Sequence, residues 1–123
     1  MGRPHVSYAR GGYLYYAHKL SGNWVSELVD SIVTEQSSIS TDKAGKLHIA
    51  YITSGPVGDP QSVKYAWGTA GSWQKQVAKQ SLMKAYGVDL EVDANGGVHL
   101  SFVDDNYDTE ESYLRYGYRC PGD

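Results

Sequence analysis

Gly45-Lys46-Leu47-His48-Ile49-Ala50-Tyr51-Ile52 occurs in three versions along this chain. Gly2-Arg3-Pro4-His5-Val6-Ser7-Tyr8-Ala9 is the second, and Gly96-Gly97-Val98-His99-Leu100-Ser101-Phe102-Val103 the third. The pattern is glycine, two variable residues, histidine, an aliphatic, serine or alanine, an aromatic, then a small or aliphatic residue. Alternation at period two is strand chemistry. Val6/Tyr8, Ile49/Tyr51 and Leu100/Phe102 point to one face, and Ser7, Ala50 and Ser101 to the other.

Working outward, each copy is followed by a second shared segment: Leu14-Tyr15-Tyr16-Ala17, Val63-Lys64-Tyr65-Ala66 and Leu114-Arg115-Tyr116-Gly117. A turn and a tryptophan come next in two copies, at Gly22-Asn23-Trp24 and Gly71-Ser72-Trp73. Ahead of the second and third copies stand Ser38-Ile39-Ser40-Thr41-Asp42 and Asp89-Leu90-Glu91-Val92-Asp93. The unit therefore has four segments: A (ending at Asp42 or Asp93), B (the histidine segment), C (the tyrosine segment) and D (from the tryptophan). Eleven Tyr and three Trp against one Phe suit half-wet strand faces, and 14 Gly supply turns. Only Gln76 to Tyr86 has the pattern of a short helical turn.

Four strands in a unit of about 40 to 50 residues are the signature of a β-propeller blade. A large face backed by a small one suits sheets stacked side by side. The polar D segments, with Ser26, Glu27, Gln74, Lys75 and Gln76, suit outermost edge strands that must not recruit others. The run GKLHIAY…VKYAW…GSW…DANGGVHLSF resembles the repeats of bacterial β-propeller proteins of the Asp-box-like (BNR-like) group. That resemblance implies the propeller fold. It departs from the strict Asp-box, because Ser40-Thr41-Asp42-Lys43-Ala44-Gly45 carries an extra residue before glycine and His48 stands near the tryptophan position. Sialidase activity is therefore not carried over.

The fold class expected is all-β, with about 2.5 four-stranded antiparallel blades in one domain spanning residues 1–123. The pieces are a partial blade B-C-D over 1–30, a full blade over 37–79 and a partial blade A-B-C over 86–123. Ten strands fall short of the four blades a closed ring needs. Oligomerisation is expected to complete the ring, with a homodimer of six blades favoured over a trimer or an open arc dimerised otherwise. The competing interpretation is a piece of a longer propeller.

Other readings are constrained by composition. A net charge of −3 with scattered Lys and Arg gives no basic face for nucleic acid. No apolar run approaches the roughly 20 residues of a membrane helix. No basic-then-apolar signal segment is visible, so a soluble protein of undetermined compartment is expected. The single cysteine, Cys120, excludes an internal disulfide.

Three repeated histidines invite a zinc site. Each, however, holds the same place in its own unit, so bonding to a neighbouring strand or turn within the blade is the better account. His18 lies outside the pattern and is expected at the surface. Tyr16, Tyr65, Tyr116, Trp24 and Trp73 are expected in blade cores. Spacings vary from His to Tyr (11, 17 and 17) and from Trp to Asp (18 and 20), but not within the A–B or C–D turns. Variation thus gathers on one rim, where binding loops evolve on a rigid scaffold.

On that rim Tyr107, Asp105 and Tyr86 are the candidate ligand-binding residues. Asp104, Asn106, Asp108 and Glu110 alternate like the first half of a calcium loop. Thr109 replaces its glycine and Arg115 its late glutamate, so calcium is the one cofactor to test and no other is implied. No nucleophile motif, phosphate loop or zinc-protease motif occurs. The function expected is a non-catalytic ligand-binding module, for a glycan or small polar ligand. The alternatives are a self-assembling interaction scaffold and the remnant of a sialidase-like glycosidase.

Overall fold

The computed structural model describes residues 3–122. Ten antiparallel strands follow one another, and no helix occurs among the described residues. β1 (His5–Arg10), β2 (Tyr13–Leu20) and β3 (Asn23–Asp30) form the first sheet. β4 (Thr34–Thr41), β5 (Leu47–Thr53), β6 (Ser62–Thr69) and β7 (Ser72–Gln80) form the second. β8 (Lys84–Val92), β9 (Val98–Asn106) and β10 (Glu111–Arg119) form the third. These are propeller-type blades, and every strand pairs only with a neighbour in sequence. The repeated histidine segment is β1, β5 and β9, each flanked by the tyrosine-bearing β2, β6 and β10.

The helical turn anticipated between Gln76 and Tyr86 does not form. β7 runs through Gln80, paired to β6, and β8 begins at Lys84. The exposed side chains of β7 look helix-tolerant in isolation, but the ladder with β6 fixes them extended. Bulges at Leu14/Tyr15, Thr34/Gln36, Val63/Lys64 and Tyr86/Asp89 all lie toward the variable rim. They absorb spacing differences that would otherwise lengthen loops, and they bend the strands.

Packing follows the large-and-small alternation. Each sheet has a front face and a back face, and the front of one meets the back of the sheet before it. Ile49 and Tyr51 on the front of the second sheet pack with Leu14, Tyr16 and Val29 on the back of the first. Ala50, Ile52, Val63 and Tyr65 on the back of the second pack with Leu100 and Phe102 on the front of the third. β5 is thereby buried along its whole length.

The inner strands are tied by side chains rather than a ladder. The Ser38 hydroxyl receives the Leu90 amide at 3.1 Å, Ser40 the Val92 amide at 3.3 Å, and Gln36 the Gly87 amide at 2.7 Å. Ser7 and Ser37 join β1 to β4 at 2.8 Å. The polar side of β4 thus satisfies edge donors of β8, which an unpaired buried edge requires.

The histidines have a structural role in each blade. His48 donates from Nε2 to the Asp42 carboxylate at 3.0 Å and accepts at Nδ1 from the Tyr65 hydroxyl at 2.6 Å. His99 repeats this with Asp93 at 2.8 Å and Tyr116 at 2.6 Å. His5 bonds Tyr16 at 2.7 Å. The second carboxylate oxygen of Asp42 takes the Ala44 and Lys46 amides, closing a turn that Gly45 completes at φ 81°. Asp93 does the same for Asn95 and Gly97. One aspartate therefore folds the A–B turn and orients the imidazole, which explains the invariant six-residue spacing from Asp to His.

Burial alone would raise the Asp42 carboxyl; the His48 bond and charge and the two amides outweigh it and hold it below the usual range. At Asp93 the His99 bond, then the Gly97 amide, have the same net effect. Groups lowered on folding contribute stability above their unfolded value and lose it as pH falls through the folded one. The urea midpoint is expected to dip as pH falls through the ordinary histidine range, because burial lowers the His5 imidazole, and to fall more steeply below about pH 4. Asp42→Asn should begin less stable and fall less steeply, as pH-resolved urea titrations would reveal.

Candidate functional site

The second and third sheets do not close on each other as fully as the first and second. Between them lies a pocket of about 430 Å³ walled by Tyr65, Gln76, Lys79, Phe102, Arg115 and Arg119. A second, of about 350 Å³, adjoins it toward the A–B turns and shares Tyr65 and Arg119, with Asp42, Lys46, His48 and Trp67. Register explains the lining. Trp67 stands opposite His48 and Gln74, Tyr65 opposite Ala50 and Gln76, and Lys79 opposite Val63, so all share the back of the second sheet. Arg119 stands opposite Val98 and Arg115 opposite Phe102, on the front of the third.

Arg119 is the centre of this cleft. Its guanidinium lies 4.1 Å from the Trp67 ring centroid and 5.2 Å from that of Tyr65. Trp67 and Tyr65 are themselves stacked at 4.9 Å. Burial pushes the Tyr65 hydroxyl above its ordinary value, and the hydrogen bond and charge of Arg119 pull against that rise. Arg115 is engaged elsewhere, donating to the fully buried Asp104 at 3.0 Å. Such a cleft presents aromatic faces, a fixed guanidinium, an amide and an ammonium, which together suit a small polar ligand.

The residues expected from sequence lie elsewhere. β9 runs through Asn106 and leaves only Tyr107 to Glu110 as a tight turn to β10, so the acidic stretch is strand as much as loop. Asp104 faces inward and takes the Leu82 amide as well as Arg115. Asn106 accepts from the Asp108 amide at 3.1 Å, and Glu110 has φ 58°. Asp104, Asp108 and Glu110 therefore do not converge, and no group of three or more potential ligands is found among the described residues. Of the four residues of the calcium-loop expectation, Asp104 and Asn106 thus lie on β9, and Asp108 and Glu110 in the turn that follows it.

Tyr86 stands opposite Val103, and Asp105 opposite Lys84 and Ser112, so Tyr86 and Asp105 share the exposed back of the third sheet. Asp105 accepts a hydrogen bond from Ser112, and Tyr107 is exposed at the hairpin tip. This group has one wall and no cleft. His18 also departs from expectation: it is half-buried, its ring 5.2 Å from that of Tyr16. Trp24 and Tyr116 are exposed, not in cores, since the front of the first sheet and the back of the third have no neighbour among the described residues. The cleft residues were missed in sequence because they break the repeat. Aligning units position by position places Arg119 against Gly68 and Lys79 against Asp30, and that contrast was the available signal.

No protein-family profile matches the chain. No curated protein matches it either. Among solved structures, the chain is similar to a fucose lectin from Kordia zhangzhouensis in complex with methyl-fucoside, with a TM-score of 0.57, 16% identity, and coverage of 97% of this chain and 92% of that one. At that identity the likeness establishes the fold: an all-β, propeller-like arrangement of antiparallel sheets.

Proposed function

We propose that the chain is a non-catalytic saccharide-binding module whose ligand enters the cleft between the second and third sheets. One observation carries this: the cleft combines the volume of a small-ligand site with stacked aromatics and a guanidinium held ready on Trp67. The similar lectin fold, solved with methyl-fucoside, supports it. The relay-like arrangement Asp42–His48–Tyr65 recurs in the third sheet as Asp93–His99–Tyr116 and braces a turn there too, so it argues for scaffold chemistry.

The test is a glycan array followed by calorimetric titration with methyl-fucoside and with array hits. Saccharide binding is expected, weakened about tenfold or more in Trp67→Ala, since the aromatic platform and the seat of Arg119 go together. Silence across all sugars would defeat the proposal.

The same proposal includes self-association. Val6, Trp24 and Leu28 are exposed on the front of the first sheet, and Leu114, Tyr116 and Tyr118 on the back of the third. Val6, Trp24, Leu114 and Tyr116 are the repeat equivalents of residues that already pack inside the chain: Ile49 and Trp73 for the front, Val63 and Tyr65 for the back. A second copy packed front to back would reuse that contact, with a dimer of six blades as the favoured closed form. It would also supply a second wall to the Tyr86, Asp105 and Tyr107 group, as a further site. If sugars fail while this association holds, the interaction-scaffold function is the one supported.

A further inference from the structure

We propose that the cleft between the second and third sheets selects acidic saccharides, those carrying a carboxylate or sulfate. This rests on the saccharide-binding function proposed above and specifies its ligand class.

The argument comes from comparing two equivalent junctions in one chain. Where the first sheet meets the second, β3 supplies two carboxylates. Glu27 accepts the Gly71 amide at 2.9 Å and the Trp73 indole at 3.3 Å. Asp30 accepts the Lys64 ammonium at 2.7 Å and the Tyr51 hydroxyl at 2.8 Å. Charges there are matched. At the next junction the repeat places Gln76 and Lys79 of β7 where Glu27 and Asp30 stood. An amide and an ammonium replace two carboxylates.

The facing sheet compounds the change. Phe102 takes the place of Tyr51, Arg115 that of Lys64, and Arg119 that of Gly68. Gly68 has φ 148°, and a Cβ there would lie 2.0 Å from the Ser72 carbonyl oxygen, so the second sheet has no room for a side chain at that point. The third sheet uses the same point to aim a guanidinium across the cleft. Arg115 is neutralised by Asp104. Asp42, at the turn end, is consumed by His48 and its own turn amides. Lys79, Arg119 and Lys46 remain, and none forms an ion pair among the described residues.

A chain of net charge −3 has thus placed Lys79 and Arg119 in one pocket and Lys46 in the pocket adjoining it, with no ion pair for any of the three among the described residues. Arg119 is the most specific of them. Its guanidinium lies 4.1 Å from the Trp67 ring centroid, and beyond its bond to Tyr65 it has further N–H donors to offer a carboxylate or sulfate. Lys79 adds a mobile point charge to the same pocket.

Calorimetric titration of the full chain with methyl glucuronide, methyl glucoside, glucose 6-sulfate and methyl-fucoside tests this. Either acidic sugar is expected to bind about tenfold or more tighter than its neutral counterpart, as one charge-assisted hydrogen bond would give. The preference should shrink with added salt. It should fall to about twofold or less in Arg119→Gln and weaken in the exposed Lys79→Gln, which keeps the fold testable. The two acidic arms tell carboxylate from sulfate. Equal or tighter binding of the neutral sugars overturns the charge selectivity and leaves the lectin function standing. Equal binding of plain acetate or sulfate overturns it as well, as general anion affinity. No binding of any sugar defeats both.

Discussion

Trp24→Glu is expected to reduce the protein to single copies in light scattering, and so is Leu114→Glu. Mixing the two variants is expected to restore a one-to-one pair. The reasoning is geometric. Every junction inside the chain joins the front of one sheet to the back of the previous one, so a junction between copies would join unlike faces. Trp24 is 53% exposed on the front and Leu114 is 79% exposed on the back. Each glutamate disables one face and spares the other. A chain with a dead front still offers its back to a chain with a dead back. A self-complementary contact would give the opposite result, because the mixture would stay monomeric or either variant alone would still pair. Removing a central tryptophan from an interface costs about 2 to 4 kcal/mol, and burying a carboxylate there costs more, so the loss should be complete at micromolar concentration. Wild-type chain that is monomeric at that concentration would end the self-association proposal directly.

Asp30→Ala is expected to lower stability by about 2 to 4 kcal/mol in urea unfolding. Asp30 faces three donors at the first junction: Lys64, the fully buried Tyr51, and Lys75 at 3.8 Å. Burial by itself would raise its carboxyl, but the bonds from Lys64 and Tyr51 and the charges of Lys64 and Lys75 prevail and hold it below the usual range. Its deletion leaves a mostly buried ammonium and a buried hydroxyl without a partner. The Tyr51 hydroxyl is pushed far above its ordinary value, by burial first and then by Asp30, so it stays protonated and donates at every accessible pH. Lys64 keeps 17% of its side-chain surface, so water softens the loss relative to a fully buried pair. Tyr51→Phe should cost only about 1 kcal/mol, since it removes one donor and leaves the ion pair. The third sheet already carries Phe102 at that position. Equal losses in the two variants would place the energy in the hydroxyl rather than in the charges.

Much of the architecture was legible because the repeat reports directly on backbone chemistry. Gly45, Asp42 and His48 form one turn-and-imidazole unit, and its spacing recurs at Gly96, Asp93 and His99. Strand faces followed from Ile49/Tyr51 against Ala50, and both faces of β5 are indeed buried against different sheets. The site was less legible for two reasons. The acidic run from Asp104 to Glu111 looked like a loop because charge suggests solvent, yet Asp104 is fully buried by its bond to Arg115. The cleft depends on Trp67 and Lys79 of the second sheet and on Arg119 of the third, far along the chain from both, whose meeting is set by how sheets stack rather than by local pattern. A periodic sequence draws attention to what recurs, whereas Arg119 and Lys79 matter because they do not.

Pairing only between successive strands has a kinetic corollary. Each hairpin can zip as it leaves the ribosome, with no late closure of distant segments, so folding should be fast for an all-β chain and should proceed sheet by sheet. Amide exchange ought then to be slowest in β5 and β6, which are sandwiched on both sides, and quicker in the outer hairpins β1–β2 and β9–β10, a gradient that runs outward from the middle of the molecule.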